Sequence, residues 1–494
     1  VVHGNQENQE IKETVTMKQT GFLKRRTKII CTIGPATGSA AVIERLIKSG
    51  MNIARLNLSH GTQSTHAQYI RTVRRLSQRL GIKVAILMDL PGPKYRTGRL
   101  KDGRAILKNG AMLTLTIEDV EGNAMLVPVN LPTLPQDIKV GDNVLLDDGA
   151  MQLKVLEKKG NQVVCRVTTG GMLTEERGLV VPGMLTSGPF ITEALQEHIL
   201  FAIKEAPEYI AISFVSSAED VSGVKKVLLR NNADIPIIAK IEKLQAVKDF
   251  DDILAVSDGI MVARGDLGVD ISLERVPMVQ KDFIKKCNQV GKPVITATQM
   301  LESMVNATRP TRAEVTDVAN AVLDGTDGTM LSAETSIGRH PVLAVRTMSR
   351  ITLEAEKHLS YEPMLAQRSK WVERETDEMI SYSACNIADV LGAVAIVAFT
   401  QSGSTARRVS KYRPKVPILA ITPDKIVSGR LLLHWGVYPF EVKEAASLDE
   451  VFAIGARLAK DLGLAKAGDL VVITGGVPIG VAGVTNLLKV EKVS

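Results

Sequence analysis

The stretch Pro236–Asp266 reads PIIAKIEKLQAVKDFDDILAVSDGIMVARGD. It opens with the apolar run Pro236–Ile241, crosses an amphipathic segment, and returns to a second apolar run, Gly259–Ala263. Strand, helix and strand in that order form the β-α-β unit of a parallel sheet. Both runs end on charge, at Glu242 and at Arg264 with Asp266. The pattern repeats on either side, in Lys28–Ile33, Met51–Leu56, Lys83–Met88, Tyr209–Phe214, Pro293–Ala297 and Gly328–Leu331. Those runs end at Gly34, Asn57, Asp89, Ser213, Thr298, and Ser332 with Glu334. Eight such runs predict an α/β protein built on a closed (β/α)8 TIM barrel. The chemistry of such a barrel gathers where its strands meet the following loops.

The strand spacing has one large gap, from Asp89 to Tyr209. Inside it, alternating β-type runs at Met112–Ile117, Asn143–Leu146, Met151–Leu156 and Gln162–Thr168 are broken by Gly and Asp turns. This predicts an inserted all-β cap, a β-barrel over residues 95–186, with Pro91-Gly92-Pro93 and Pro182-Gly183 as hinges. The TIM barrel takes residues 21–94 and 187–359. Strand-like runs at Ala393–Phe399, Val416–Ile421, Val437–Val442 and Leu470–Thr474 predict a C-terminal α/β open-sheet domain over residues 360–494. Residues 1–20 are polar and read as a flexible tail.

Composition narrows the function. Hydrophobic residues make up 45% of the 494, enough for several cores. The net charge is +7, yet aromatics are only 4%. Basic segments without stacking rings point to a surface that draws in phosphorylated metabolites and away from nucleic acid. Four cysteines stand singly, which reads as reduced core thiols in a cytoplasmic protein. No stretch approaches the ~20 apolar residues of a membrane span.

Alternation along Ala239-Lys240-Ile241-Glu242 puts Lys240 and Glu242 on one face. Alone, such a pair can be a structural ion pair. Asp266, just past the neighbouring strand, adds a second hard oxygen donor. Glu242 and Asp266 then suit Mg²⁺ or Mn²⁺, with Lys240 beside them to stabilise a transferring phosphoryl group. Gly265 turns the chain into a helix start whose amides, with Asp266, suit a substrate carboxylate. Thr298 either adds a hydroxyl donor there or is structural. Arg55, Asn57, Ser59 and His60 end the second run, and Arg96 joins them from the hinge. The two arginines suit phosphate oxygens. In the C-terminal domain Thr400–Thr405 sets hydroxyls and Gly403 at a helix start. That suits a phosphate group, or is an ordinary capped turn.

Together these residues resemble the pyruvate kinase family. The matching stretches are Thr27–Pro35, Ala54–Gly61, Ile238–Glu242, Met261–Val269, Thr296–Leu301 and Met330–Thr335, and the ending Thr485–Val490 is similar to bacterial members. The resemblance implies Mg²⁺-dependent (or Mn²⁺-dependent) phosphoryl transfer from phosphoenolpyruvate to ADP, giving pyruvate and ATP. It implies Glu242 and Asp266 as metal ligands, and Lys240, Arg55 and Thr298 as catalytic residues. Ala263, Arg264, Gly265, Asp266 and Thr298 would surround the substrate carboxylate. Asn57, His60 and Arg96 would face the nucleotide. A water relay near Thr298, Ser332 and Glu334 is expected to protonate the enolate. A phosphorylated effector would meet Thr400, Ser402, Gly403, Ser404 and Thr405, in a homotetramer.

One departure is informative. Many members hold K⁺ with residues that match Asn57, Ser59, Asp89 and the Leu90 carbonyl, and carry a glutamate where this chain has Lys94. An ammonium there supplies a similar unit charge, so K⁺ is not expected to be required. The other reading leaves Lys94 a solvated hinge lysine. Two further functions stay open on the residues alone. A metal-dependent aldolase or lyase acting on pyruvate or oxaloacetate would share the carboxylate pair but need neither the cap nor Arg96. A non-enzymatic sugar-phosphate sensor would not need Lys240.

Overall fold

Short runs of Ile, Val, Leu and Ala become parallel strands where both of their faces are covered. In chain order β1 (Lys28–Thr32), β2 (Ile53–Asn57) and β3 (Ala85–Leu90) come first. Eight small strands follow: β4 (Arg104–Leu107), β5 (Met112–Thr116), β6 (Leu126–Pro128), β7 (Asn143–Leu146), β8 (Met151–Lys159), β9 (Gln162–Thr169), β10 (Gly171–Thr174) and β11 (Leu179–Val180). Then come β12 (Tyr209–Ile212), β13 (Ile237–Ile241), β14 (Gly259–Ala263), β15 (Val294–Ala297) and β16 (Gly328–Leu331). The computed structural model describes residues 22–494 except positions 444, 446 and 479. The tail expected at residues 1–20 therefore lies outside the described residues.

β1–β3 and β12–β16 close into one barrel in the order β1-β16-β15-β14-β13-β12-β3-β2. Every residue of β13 and β14 is buried, which is why each reads as an unbroken apolar run. The register sets Lys240 opposite Met261 and Asn57 opposite Asp89, so the polar strand ends meet at one rim. The barrel interior is filled by side chains such as Ile30, Ile53, Leu87, Ile238 and Ile295. Leu432 and Leu433, from a 3₁₀ turn of the C-terminal domain, belong to the same buried cluster and plug the barrel from below. Amphipathic helices pack outside. Ala40–Ser49 is typical: Ser39 accepts from the Val42 N–H at its start, and Gly50 ends it at φ +116°, where glycine is favoured.

Between β3 and β12, β4–β11 build a separate domain with its own core. It contains a six-stranded sheet, β11-β7-β8-β9-β5-β6, and a two-stranded ribbon, β10-β4. The segment between Tyr95 and Gly98 bridges both ends of that sheet: the Leu179 N–H donates to the Tyr95 carbonyl at 2.9 Å on the β11 side, and the Gly98 N–H to the Pro128 carbonyl at 2.7 Å on the β6 side. β4 and β10 pair with each other, and β6 and β11, of 3 and 2 residues, are the short end strands that this segment joins.

The C-terminal sheet holds the expected strands as β17 (Ala395–Phe399), β18 (Ile418–Thr422), β19 (Val437–Glu441) and β20 (Leu470–Gly475). It also holds β21 (Leu487–Lys492), antiparallel to β20 at the sheet edge. The domain is tied to the barrel floor by buried polar groups. Lys28 Nζ donates to the Val437 carbonyl at 2.6 Å, and Arg413 Nη1 meets Asp327 at 2.7 Å. All four cysteines are buried and unpaired. Among the described residues no helix is long and apolar enough to cross a membrane.

Candidate active site

Lys240 leaves the end of β13 and is buried at the barrel mouth. Its ammonium donates to Ser213 Oγ at 2.7 Å and lies 3.0 Å from Glu242 Oε1 and 3.3 Å from Asp89 Oδ1. Burial alone would push this amine down. Asp89 and Glu242 outweigh burial and hold it above its ordinary value, so it stays charged. Asp89, 1% exposed, gives its other oxygen to Arg55 Nε and Nη2, both at 2.8 Å. Burial pushes the Asp89 carboxyl up, and Lys240 and Arg55 more than reverse this, leaving it below the usual range. Thr32 Oγ1 accepts from Arg55 Nη1 at 2.9 Å. One buried carboxylate thus fixes two cations that would otherwise repel.

Glu242 Oε2 accepts the Phe214 N–H at 2.6 Å. Its Oε1 is buried and faces only the Lys240 ammonium, 3.0 Å away, among the described residues. Burial holds Glu242 above the usual carboxylate range; Lys240 opposes this and the Asp266 charge adds to it. Asp266 stands in the first turn of the short helix Arg264–Asp270, directly after β14. Its Oδ1 meets Lys94 Nζ at 3.3 Å. Both carboxylates face a cleft of about 670 Å³ between barrel rim and cap, walled by Lys94, Tyr95 and Val180. A buried carboxylate oxygen with no other partner, next to a second acid, is relieved by a divalent cation. Two hard oxygen ligands fit Mg²⁺ or Mn²⁺. Among the described residues no three acidic, imidazole or thiol groups form a metal cage. Substrate and water would complete the shell, as is usual for Mg²⁺.

Opposite Asp266, Thr298 and Gln299 take left-handed φ angles of +67° and +53°. Arg264 holds this turn, donating through Nη2 to the Thr298 carbonyl at 2.6 Å and through Nη1 to Asp317 at 2.7 Å. Its guanidinium is therefore committed away from the cleft. Thr298 Oγ1 accepts the Gly265 N–H at 2.8 Å, which joins the ends of β14 and β15. Ala263 is the buried last residue of β14.

The remaining expected residues are spread around this centre. Asn57 Oδ1 accepts the Ser59 N–H at 3.3 Å, and Ser59 and His60 are exposed. Arg96 Nη1 donates to the Glu176 carbonyl at 2.7 Å, within the cap. The Leu90 carbonyl accepts the Ser213 N–H at 3.3 Å. Lys94 pairs with Asp266, whereas Asp89 is taken by Arg55, Lys240 and Ser213. Ser332 Oγ is buried without a partner among the described residues, and Glu334 accepts the N–H groups of Ser332 and Leu301. The loop Thr400–Thr405 is divided. Thr400, Ser404 and Thr405 line a cavity of about 690 Å³, while Ser402 and Gly403 line a different cleft. Sequence reasoning gave no role to Ser213, which was visible only as a strand end, or to Asp317, which arrives from the helix Arg312–Asp324.

The family model "Pyruvate kinase, barrel domain" matches residues 24–345, and "Pyruvate kinase, alpha/beta domain" matches residues 378–491. The chain belongs to the pyruvate kinase family. It is 46% identical over 475 residues to pyruvate kinase of Geobacillus stearothermophilus, covering 96% of this chain and 81% of that protein. It is 43% identical over 471 residues to pyruvate kinase of Clostridium acetobutylicum, covering 95% and 100%. The crystal structure of a pyruvate kinase from Cryptosporidium parvum superimposes with a TM-score of 0.92 at 38% identity, covering 95% of this chain and 97% of that one. These relatives make the chain a phosphotransferase, and its barrel, sheet insert and C-terminal α/β domain are the architecture of a pyruvate kinase.

Proposed function

We propose that this centre transfers the phosphoryl group of phosphoenolpyruvate to ADP, giving pyruvate and ATP, as the last step of glycolysis. The observation that carries the reading is the buried Lys240 ammonium beside Glu242, with Asp266 in the helical turn just past the adjoining strand. Glu242 and Asp266 would hold Mg²⁺, which supplies charge neutralisation at the phosphate and enolate oxygens. Lys240 stabilises negative charge on the phosphoryl group as it moves and on the enolate left behind. Arg55, fixed by Asp89 and Thr32, presents its guanidinium to phosphate oxygens. Gly265, Asp266 and Thr298 seat the substrate carboxylate. Asn57, His60 and Arg96 face the nucleotide, and the cap excludes water over the cleft. Protons reach the enolate through water near Thr298, Ser332 and Glu334. The test is pyruvate release from phosphoenolpyruvate with Mg²⁺, with and without ADP. Release only with ADP is expected; release without it would mean transfer of the phosphoryl group to water, and no release with ADP would favour the aldolase or lyase reading.

Lys94 supports a second point. Its ammonium already lies within the centre, 3.3 Å from Asp266. A fixed cation there substitutes for the charge that K⁺ would bring near Asn57, Ser59, Asp89 and Leu90. Activity in potassium-free buffer is expected to rise less than about tenfold on adding KCl. A larger activation would show an intact K⁺ site. The cavity at Thr400, Ser404 and Thr405 is proposed to take a phosphorylated effector in a cytoplasmic homotetramer. Effector binding would then shift the phosphoenolpyruvate saturation curve.

A further inference from the structure

A cleft of about 1330 Å³ opens between the barrel floor and the C-terminal domain. Tyr209, Asp258 and Lys292 reach it from the strand starts, so it lies at the opposite end of the barrel from Lys240. Ser402, Arg407 and His434 face it from the C-terminal domain. Its charges do not balance. Lys225 pairs with Asp258 at 3.2 Å, and Arg430 with Asp234 at 3.0 Å. Lys292 rests on the Leu254 and Ala255 carbonyls at 2.6 and 2.9 Å and forms no ion pair among the described residues. The exposed Arg407 guanidinium makes neither a hydrogen bond nor an ion pair among the described residues.

A second observation points the same way. His434 lines the cleft, is only 5% exposed, and its ring makes no hydrogen bond among the described residues. An imidazole at the cleft wall with no protein partner can hydrogen-bond a group bound there. Two uncompensated cations and an unpartnered imidazole select for an anion with several acceptor oxygens. We propose that this cleft binds a phosphate-bearing anion between Arg407 and Lys292, with His434 and Ser402 as hydrogen-bonding partners. The site is separate from the pocket at Thr400, Ser404 and Thr405. The helix Ser404–Lys411 and the loop before it form the wall between them. An anion held here joins the barrel to the C-terminal domain directly.

The test is calorimetric titration of the full chain with pyrophosphate at fixed ionic strength. A Ser404→Ala, Thr405→Val background removes the contribution of the neighbouring pocket. Binding is expected to persist in that background. Adding Arg407→Gln should weaken it roughly tenfold or more. Arg407→Lys should recover part of the loss, and Lys292→Gln should weaken binding in the same sense. Melting curves check that each variant is folded. Loss of all binding in the background, or binding that neither Arg407→Gln nor Lys292→Gln weakens, overturns the proposal. Because binding is read without turnover, the outcome is independent of the reaction assigned to Lys240.

Discussion

Lys240 is costly to bury and costly to remove. It stays charged because Asp89 and Glu242 flank it, and each of those acids in turn needs its charge. Lys240→Met is expected to lower kcat by roughly 10²–10³-fold, because the ammonium acts mainly on charge that develops during transfer. The Michaelis constant for phosphoenolpyruvate should move far less, and unchanged turnover would remove Lys240 from the chemistry. At the other end of the barrel His434 couples stability to pH. Burial pushes its imidazole down to about 3, with Arg407, Arg413 and Lys28 adding to this and Asp327 opposing it. Its ordinary value is 6.5, so between these pH values the unfolded chain binds more protons than the fold. The stability is complete above that ordinary value and is lost as pH falls toward the folded one. His434→Gln is expected to flatten this acid limb in melting temperature against pH; a limb as steep as before would contradict it.

Among the elements, the hinge before the cap is the tightest. A Cβ on Gly92 would lie 2.1 Å from the Ser213 carbonyl oxygen and 2.7 Å from its carbon. The end of β12 would have to shift, and Ser213 Oγ would move away from Lys240. Gly92→Ala should therefore cost about 1–3 kcal/mol of stability. It should also reduce turnover in a steady-state assay, and full activity would show that the hinge has room. The legibility of each element follows its burial. β13 and β14 could be read because both of their faces are covered, and alternation then placed Lys240 and Glu242 together. The run Tyr209–Phe214 overshoots, since the strand stops at Ile212 and Phe214 turns to φ +58°. β6 and β11 are too short to show a period, and β21 is only half-buried along its length. The two faces of Thr400–Thr405 were illegible because only the packing of the following helix decides which hydroxyl meets which cavity.

For the whole molecule, the barrel gathers charged side chains at one end and is stoppered by apolar ones at the other. Leu432 and Leu433 bring the C-terminal domain into the same apolar cluster as Ile238 and Met261, two of the residues beneath the catalytic rim. That close-packed cluster joins the C-terminal domain to the strand that carries Lys240 and to the one that precedes Asp266. No single stretch shows this long-range contact, since the plug and the strands lie far apart in the chain. The arrangement at the rim is tested most directly by anomalous diffraction from crystals grown with Mn²⁺ and oxalate, a mimic of the enolate. One peak is expected about 2.1–2.2 Å from a carboxylate oxygen of both Glu242 and Asp266, with the Lys94 amine displaced from Asp266. A peak elsewhere, or none bridging those two acids, would contradict the phosphoryl-transfer site described for Lys240.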